Sequence, residues 1–274
     1  MHYCERPPPP SLAKVVRCIW MFDASADEGE GEIQRVVADG CPEMVLHYGD
    51  HCHEIAPDGA LQKQAPFIFA GQLSQPLLLK PGANAGMIGI RLQPAGARMF
   101  VGMAMREATD MRIDLTMVWN DCAALIDAVG NAGSRAGRFD LTEKFLIAKL
   151  AASRSLRDLA IERGVALLEA SEGRISVDDL AEECGLSARQ LERRFLGEVG
   201  LPPRLLASIF RFRRVFDLLE NNNPWATAAI DAGYFDQPHM IRDFKRFAGQ
   251  QPQAFYRGLK GLSAAMIGGE NAKL

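Results

Sequence analysis

Between residues 43 and 92 the apolar positions come in short bursts, "EMVLHYGD", "APFIFAG", "QPLLLKPG" and "GMIGIRL", separated by Gly, Pro, Asn and Asp. Bursts of this length, β-rich and bounded by turn residues, predict strands. Several in close succession predict a small barrel or sandwich. From Pro94 the spacing lengthens to that of helices in "PAGARMFVGM", "WNDCAALIDAV" and "LTEKFLIAKLAAS". Residues 131 to 139, "NAGSRAGRF", read as a loop between two of these helices. "RDLAIERGVALLEASEG", 157 to 173, reads as one more helix, closed by Gly173. The expected fold class is α+β: a β-rich, cupin-like barrel or sandwich with following helices over 1–156, a connecting helix over 157–173, an all-α domain over 174–257 and a tail over 258–274.

The all-α part repeats itself. "LAEECGLSARQLERRFLGEVGLPP" (180 to 203) and "AAIDAGYFDQPHMIRDFKRFAGQQP" (228 to 252) follow one order: helix, glycine turn, helix, glycine stop, proline. Gly185 corresponds to Gly233 at an offset of 48. Phe195 corresponds to Phe244, Gly200 to Gly249 and Pro203 to Pro252 at an offset of 49, so the second turn holds one extra residue. Between the copies "RLLASIFRFRRVFDLLE", 204 to 220, predicts a single helix started by Pro202-Pro203 and stopped by "NNNP".

Each copy has the shape of a helix-turn-helix. In the second helix of copy one, Ser187 is a suitable N-cap and Gln190 completes a capping-box pattern. At about 100° per residue, Leu191, Phe195 and Val199 share one face, and Arg189 and Arg193 fall nearly opposite with Gln190 beside them. In copy two Asp236 is the cap, and Pro238 is tolerated because first-turn N–H groups have no helical partner. Met240, Phe244 and Phe247 form its apolar face, Arg242 and Lys245 project away, and His239 and Arg246 lie at the margin. An amphipathic helix often presents its polar face to water and nothing more. Two matching faces of Arg with Gln or His are a different matter, because those side chains suit guanine and phosphate contacts in the major groove.

Residues 174 to 257 resemble the double helix-turn-helix domain of the AraC/XylS transcription regulators. The resemblance is carried by "LAEECGLSARQLERRF", "GLPPRLL", "GYFDQPHMIRDFKRFAGQQP" and the closing "FYR". It implies two recognition helices held by a linker helix, each entering a successive major-groove segment on one face of double-stranded promoter or operator DNA. By position it implies Arg189, Gln190 and Arg193 as readers in the first helix and Gln237, His239 and Arg242 in the second. Arg194, Arg211, Arg214, Lys245 and Arg246 join them as DNA-binding candidates, with Arg211 and Arg214 expected to meet phosphate or neighbouring acids. The chain departs from the family pattern at Pro238, where a small polar residue is usual, and at Met240, often an aromatic. More loosely, "GQLSQPLLLKPGANAGMIGI" followed by "IRLQPAGARMFVGM" is similar to an N-terminal segment of a subset of these regulators. That similarity spans roughly 3 to 156 and implies a cupin-like regulatory domain with helices for dimerisation.

Charge and composition sharpen this reading. The net charge of −3 over 274 residues hides seven arginines against Glu192 and Glu198 between Arg189 and Arg214, a local +5. Such a stripe is the electrostatic footprint of a polyanion partner. No apolar run approaches the roughly 18 residues that cross a membrane, and "MHYCERPPPP" has no signal core, so a cytoplasmic location is expected. Six cysteines without a CxxC pair read as buried hydrophobes of a reducing compartment.

The remaining chemistry is sparse. His47, His51, Cys52 and His53 cluster in "HYGDHCHE" with Cys41 nearby, but the carboxylate expected four residues on is missing, since Glu54 is at +1 and Asp58 at +5. The segment is expected to be a solvated loop and no metal site is assigned. Arg91 ends an apolar strand, where it would pair with an acid or hold an anionic effector. Trp20 and Trp119 read as core or subunit-interface residues. No GxSxG, phosphate loop or paired cysteine and base marks an enzyme, and "GCPEM" lacks the acceptor-cysteine context of the DNA-repair alkyl transferases. The expected function is a sequence-specific, small-molecule-responsive transcription activator with no cofactor, working as a homodimer with RNA polymerase. The rival is a metal- or thiol-dependent sensor or enzyme that uses the helix-turn-helix domain for targeting.

Overall fold

In the computed structural model the chain forms two packed parts, and residues 2–24, 33–220 and 224–258 are described. The three asparagines of the expected "NNNP" stop and all of the expected tail beyond residue 258 lie outside them. The N-terminal part is built from β1 (His2–Arg6), β2 (Val16–Asp23), β3 (Gln34–Val36), β4 (Glu43–His47), β5 (His53–Ile55), β6 (Leu61–Lys63), β7 (Phe67–Ala70), β8 (Leu77–Lys80) and β9 (Gly86–Leu92). A helical turn α1 (Arg98–Val101) follows, then β10 (Arg112–Asp114), α2 (Cys122–Gly130) and α3 (Arg135–Ala152). One sheet runs β1-β2-β9-β4-β7-β10 and a second runs β3-β8-β5-β6, with antiparallel pairing between neighbouring strands.

The larger sheet is buried on both faces. Ile19 and Met21 of β2 join Met44, Leu46, Phe67, Phe69, Ile88 and Ile90 beneath α2 and α3, with Leu125, Phe139 and Leu146 from those helices. The alternate residues Cys18, Trp20 and Phe22 join Val45, Ile68 and Met87 on the opposite face. Two-sided burial is why β2 reads "VRCIWMFD", almost continuously apolar, instead of alternating with polar residues. Gly89 pairs with Trp20 across the sheet, and a Cβ there would lie 2.0 Å from the indole ring.

The expected barrel or sandwich with following helices is present. Several local expectations change. Of the three stretches with helical spacing, "WNDCAALIDAV" and "LTEKFLIAKLAAS" fall on α2 and α3, whereas "PAGARMFVGM" yields only the single turn α1, followed by a 3-10 turn, Met105–Glu107. The loop expected over 131–139 is shorter, because Ser134 caps α3 by accepting from the Gly137 N–H, so the helix starts at Arg135. The segment 47–54 is a loop only over 48–52, where Gly49 and Asp50 are exposed, and its ends lie in strands. His47 ends β4 at 2% exposure, Cys52 is 1% exposed and His53 opens β5.

The C-terminal part is helical: α4 (Leu159–Ala170), α5 (Val177–Glu183), α6 (Ala188–Glu198), α7 (Pro203–Glu220), α8 (Trp225–Asp231), α9 (Gln237–Ala248) and α10 (Pro252–Arg257). Asp158 caps α4, and after it Gly173, at φ +74°, returns its N–H to the Leu168 carbonyl at 2.8 Å. Ile161, Val165 and Leu168 of α4 lie in one core with Leu180, Leu191, Phe195, Phe212, Phe216, Phe244 and Phe247. The helix expected as a connector is thus packed into the helical core.

That core continues into the N-terminal part through Val37 and Ala38, which follow β3 and are buried among its residues. Polar contacts also cross between the parts, among them Arg213 Nη1 donating to the Asp39 carbonyl at 3.4 Å. Arg98 pairs with Glu198 and Arg17 with Glu169. Thr109 Oγ1 donates to the Gly200 carbonyl at 2.7 Å, and Arg35 Nη1 to the Ala248 carbonyl at 3.1 Å.

Candidate nucleic-acid interface

Two helix pairs, α5–α6 and α8–α9, stand on either side of α7. In the first, Gly185 adopts φ +67° at the turn, and Ser187 caps α6 in a full capping box. Leu191 and Phe195 are fully buried and anchor α6 on the core. Arg189, Gln190 and Arg193 are exposed on its other side. Gln190 is partly committed, since its Oε1 accepts from the Ser187 N–H and hydroxyl, both at 3.0 Å, leaving its amide N–H groups to donate outward. Arg194 is turned inward, with Nε donating to Asp158 at 2.7 Å. Partial burial pushes the Asp158 carboxyl up, but Arg194 and the Ile161 N–H outweigh it and hold that carboxyl below its ordinary value. This ion pair ties the start of α4 to α6.

The second pair has the same plan. Gly233 adopts φ +85°, where a Cβ would come within 2.9 Å of Arg174. Asp236 caps α9 by accepting from the His239 N–H at 2.7 Å, and Pro238 occupies the first turn. Met240, Phe244 and Phe247 are fully buried, with the Phe244 and Phe212 rings edge to face at 4.8 Å. Gln237, Arg242, Lys245 and Arg246 are exposed, while His239 is half-buried and set edge-on to Tyr234 at 5.1 Å.

The arginines of α7 have partners within the chain. Arg211 donates to the Gly173 carbonyl at 2.5 Å and to Ser208 Oγ at 3.0 Å, with its guanidinium 5.8 Å from the centre of the Tyr234 ring. Arg214 lies 3.1 Å from Glu172. Both positions therefore brace the linker helix against its neighbours.

The N-terminal candidates are also placed. Arg91 is buried and ion-paired, its Nε 2.9 Å from Glu43 and 3.5 Å from Asp39. Trp20 is buried with its indole N–H on Glu43 at 3.2 Å. Trp119 packs between Phe67 and Phe145 with Lys149 over its ring. His47 Nε2 and His51 Nδ1 both turn to Gln64, at 3.1 and 2.8 Å, and burial pushes the Cys52 thiol up to about 12. Among the described residues no group of three or more His, Cys, Asp or Glu side chains is placed to hold a metal ion.

A cavity between the two sheets escaped sequence reasoning. Val36, Leu77 and Leu79 line it from the smaller sheet, Trp20, Val45 and Met87 from the larger. No linear motif signals it, because the walls come from strands that only the sheet order brings together.

A family model described as "Helix-turn-helix domain" matches residues 180–258, the two pairs with their linker. The C-terminal domain is of the AraC type. Ahead of the AraC-type domain, a model described as "Domain of unknown function (DUF6597)" matches residues 4–114, which span the two sheets. The structure of ToxT from Vibrio cholerae matches at 15% identity and a TM-score of 0.50, covering 89% of this chain and 98% of that one, so the two-domain fold is shared. A regulator with an AraC-type domain from Chromobacterium violaceum matches at 27% identity and a TM-score of 0.35, covering 38% of this chain and 96% of that one. A probable AraC family regulator from Rhodopseudomonas palustris matches at 23% and 0.34, covering 38% and 100%. No curated protein matches this sequence. No helix among the described residues is long and apolar enough to cross a membrane.

Proposed function

We infer that this protein is a transcription regulator that binds double-stranded DNA through α6 and α9. The observation that carries the reading is the repeated unit. Two capped helices are each anchored by buried Leu or Met and Phe, and each turns outward a face containing Arg189, Gln190 and Arg193 or Gln237, His239 and Arg242. Helix α7, 18 residues long, spans about 27 Å at 1.5 Å per residue. That is comparable with the roughly 34 Å of one DNA turn, as two readers on one face require. Arg189, Arg193 and Arg242 are the readers, Lys245 and Arg246 meet phosphate, and Arg194, Arg211 and Arg214 hold the readers in register.

The sheet domain supplies regulation. A small molecule in the cavity between the sheets would press on Val36, Val37 and Asp39, which belong to the stretch docked on the helical core. Arg91 is not the anchor for an anionic effector in this reading, because Glu43 and Asp39 already compensate its charge. The protein acts in the cytoplasm as an activator working with RNA polymerase and performs no catalysis. Exposed Ile147, Leu156 and Leu159, at 40%, 86% and 68%, support a homodimer through α3, the segment after it and the start of α4. The metal- or thiol-sensor alternative has no support from Cys52, since a buried thiol with a raised pKa is a poor nucleophile.

The test is enrichment of duplexes from a random-sequence pool by the full-length protein. One sequence family should emerge, and Arg193→Ala should bind it about 5- to 150-fold more weakly, the worth of about 1–3 kcal/mol for a bidentate guanine contact, with relaxed preference at one or two base pairs. Failure to enrich any sequence would overturn the reading.

A further inference from the structure

The extra residue in the second turn can be identified. In the first copy Leu186 is the single residue between Gly185 and the cap Ser187, and it packs on the helical core. In the second copy Tyr234 takes that buried place at 3% exposure, so Phe235 is the insertion before Asp236. Phe235 is 88% exposed. The residue before an N-cap often staples onto the fourth helical residue, but here that residue, Met240, is already fully buried by the core. A large aromatic is thus held out in water immediately before the cap Asp236, at the end of α9 that carries Gln237.

In helix-turn-helix proteins the N-terminal residues of the second helix meet the base edges. The apolar group that a base edge offers in the major groove is the thymine 5-methyl. We propose that Phe235 is a base-reading residue whose ring packs against a thymine methyl in the half-site entered by α9. This rests on the DNA-binding reading above and deepens it. The first copy has no counterpart to the insertion, so the two half-sites are read by different chemistry. A protein built from a repeat thereby gains a fixed direction along its site.

The experiment uses the full chain and duplexes that the wild type enriches from a random pool, with each thymine in turn replaced by deoxyuridine, which removes only the methyl group. One replacement in the α9 half-site should weaken wild-type binding about fourfold, the worth of one buried methyl, and leave Phe235→Ala unaffected. Phe235→Ala should also bind the unmodified duplex several-fold more weakly, with unchanged affinity for random DNA and an unchanged melting temperature. Phe235→Leu should keep part of the methyl dependence, which separates ring contact from any fault in the turn. The proposal is overturned if Phe235→Ala binds like wild type, if it loses affinity equally on random DNA, or if no thymine couples to it. Those results leave the regulator reading standing, whereas failure of the wild type to enrich any sequence overturns both.

Discussion

Among single residues, His47 and Phe195 show how burial decides what a side chain contributes. His47 is 2% exposed and stacked on His51 with ring centres 5.1 Å apart. Burial first, then repulsion from His51, lower its pKa from 6.5 to about 4. The unfolded chain therefore takes up a proton between about pH 6.5 and pH 4 that the folded chain refuses. Stability from this site is complete above pH 6.5 and falls by up to about 3 kcal/mol as the pH drops through that window. His47→Gln removes the titration. Denaturation at pH 7.5 and pH 5 should show the wild type losing ground to the variant by about 2 kcal/mol, and parallel losses would refute the account. Phe195, fully buried beneath α6, acts through the core alone. Phe195→Ala should lower stability by about 3–5 kcal/mol, and any binding it loses should return at temperatures where it is folded.

Among elements, the question is which basic residues of α6, α7 and α9 are free to meet DNA. Arg194, Arg211 and Arg214 engage Asp158, the Gly173 carbonyl and Glu172, whereas Lys245 and Arg246 point outward from the last turn of α9. Lys245→Ala should flatten the salt dependence of binding by about 0.9 in log–log slope. Arg214→Ala should leave the slope unchanged and lower the melting temperature slightly. A flattened slope for Arg214→Ala would return that residue to the DNA surface. The charge stripe was legible in the sequence, but its division was not, because Arg194 and Arg211 find partners 36 and 38 residues away.

At the scale of the whole molecule, the two parts are joined by an apolar contact as well as by ion pairs. Val37 and Ala38 are buried in the helical core, and a Cβ on Gly40, at φ +83°, would lie 3.0 Å from the Phe210 ring. Val37→Asp would place an unpaired charge there, which burial penalises heavily. Calorimetry should then resolve two unfolding transitions where the wild type shows a single one, and protease should cut sooner near residues 153–157. One transition in the variant would mean that the parts do not communicate through this segment.

The sequence by itself determined the local architecture of the reading domain. Caps at Ser187 and Asp236, turns at Gly185 and Gly233 and buried Phe195 and Phe244 depend on spacings of a few residues, and a repeat states such spacings twice. It also announced β4, β7, β8 and β9, whose apolar runs are bounded by turn residues. Strand β2 passed unannounced: like β9 it is buried on both faces and does not alternate, but "VRCIWMFD" is not bounded by the close Gly and Pro turn signals that flank β7, β8 and β9. Sheet order, the cavity, the inward turn of Arg194 and the burial of Val37 in the helical core were decided only in three dimensions. Each joins residues far apart in the chain, and the free energy of those contacts depends on what is buried together, which no local pattern encodes. Phe235 lies between the two cases: the chain shows an insertion, and only the fold shows that Tyr234 fills the core and leaves the phenylalanine facing out.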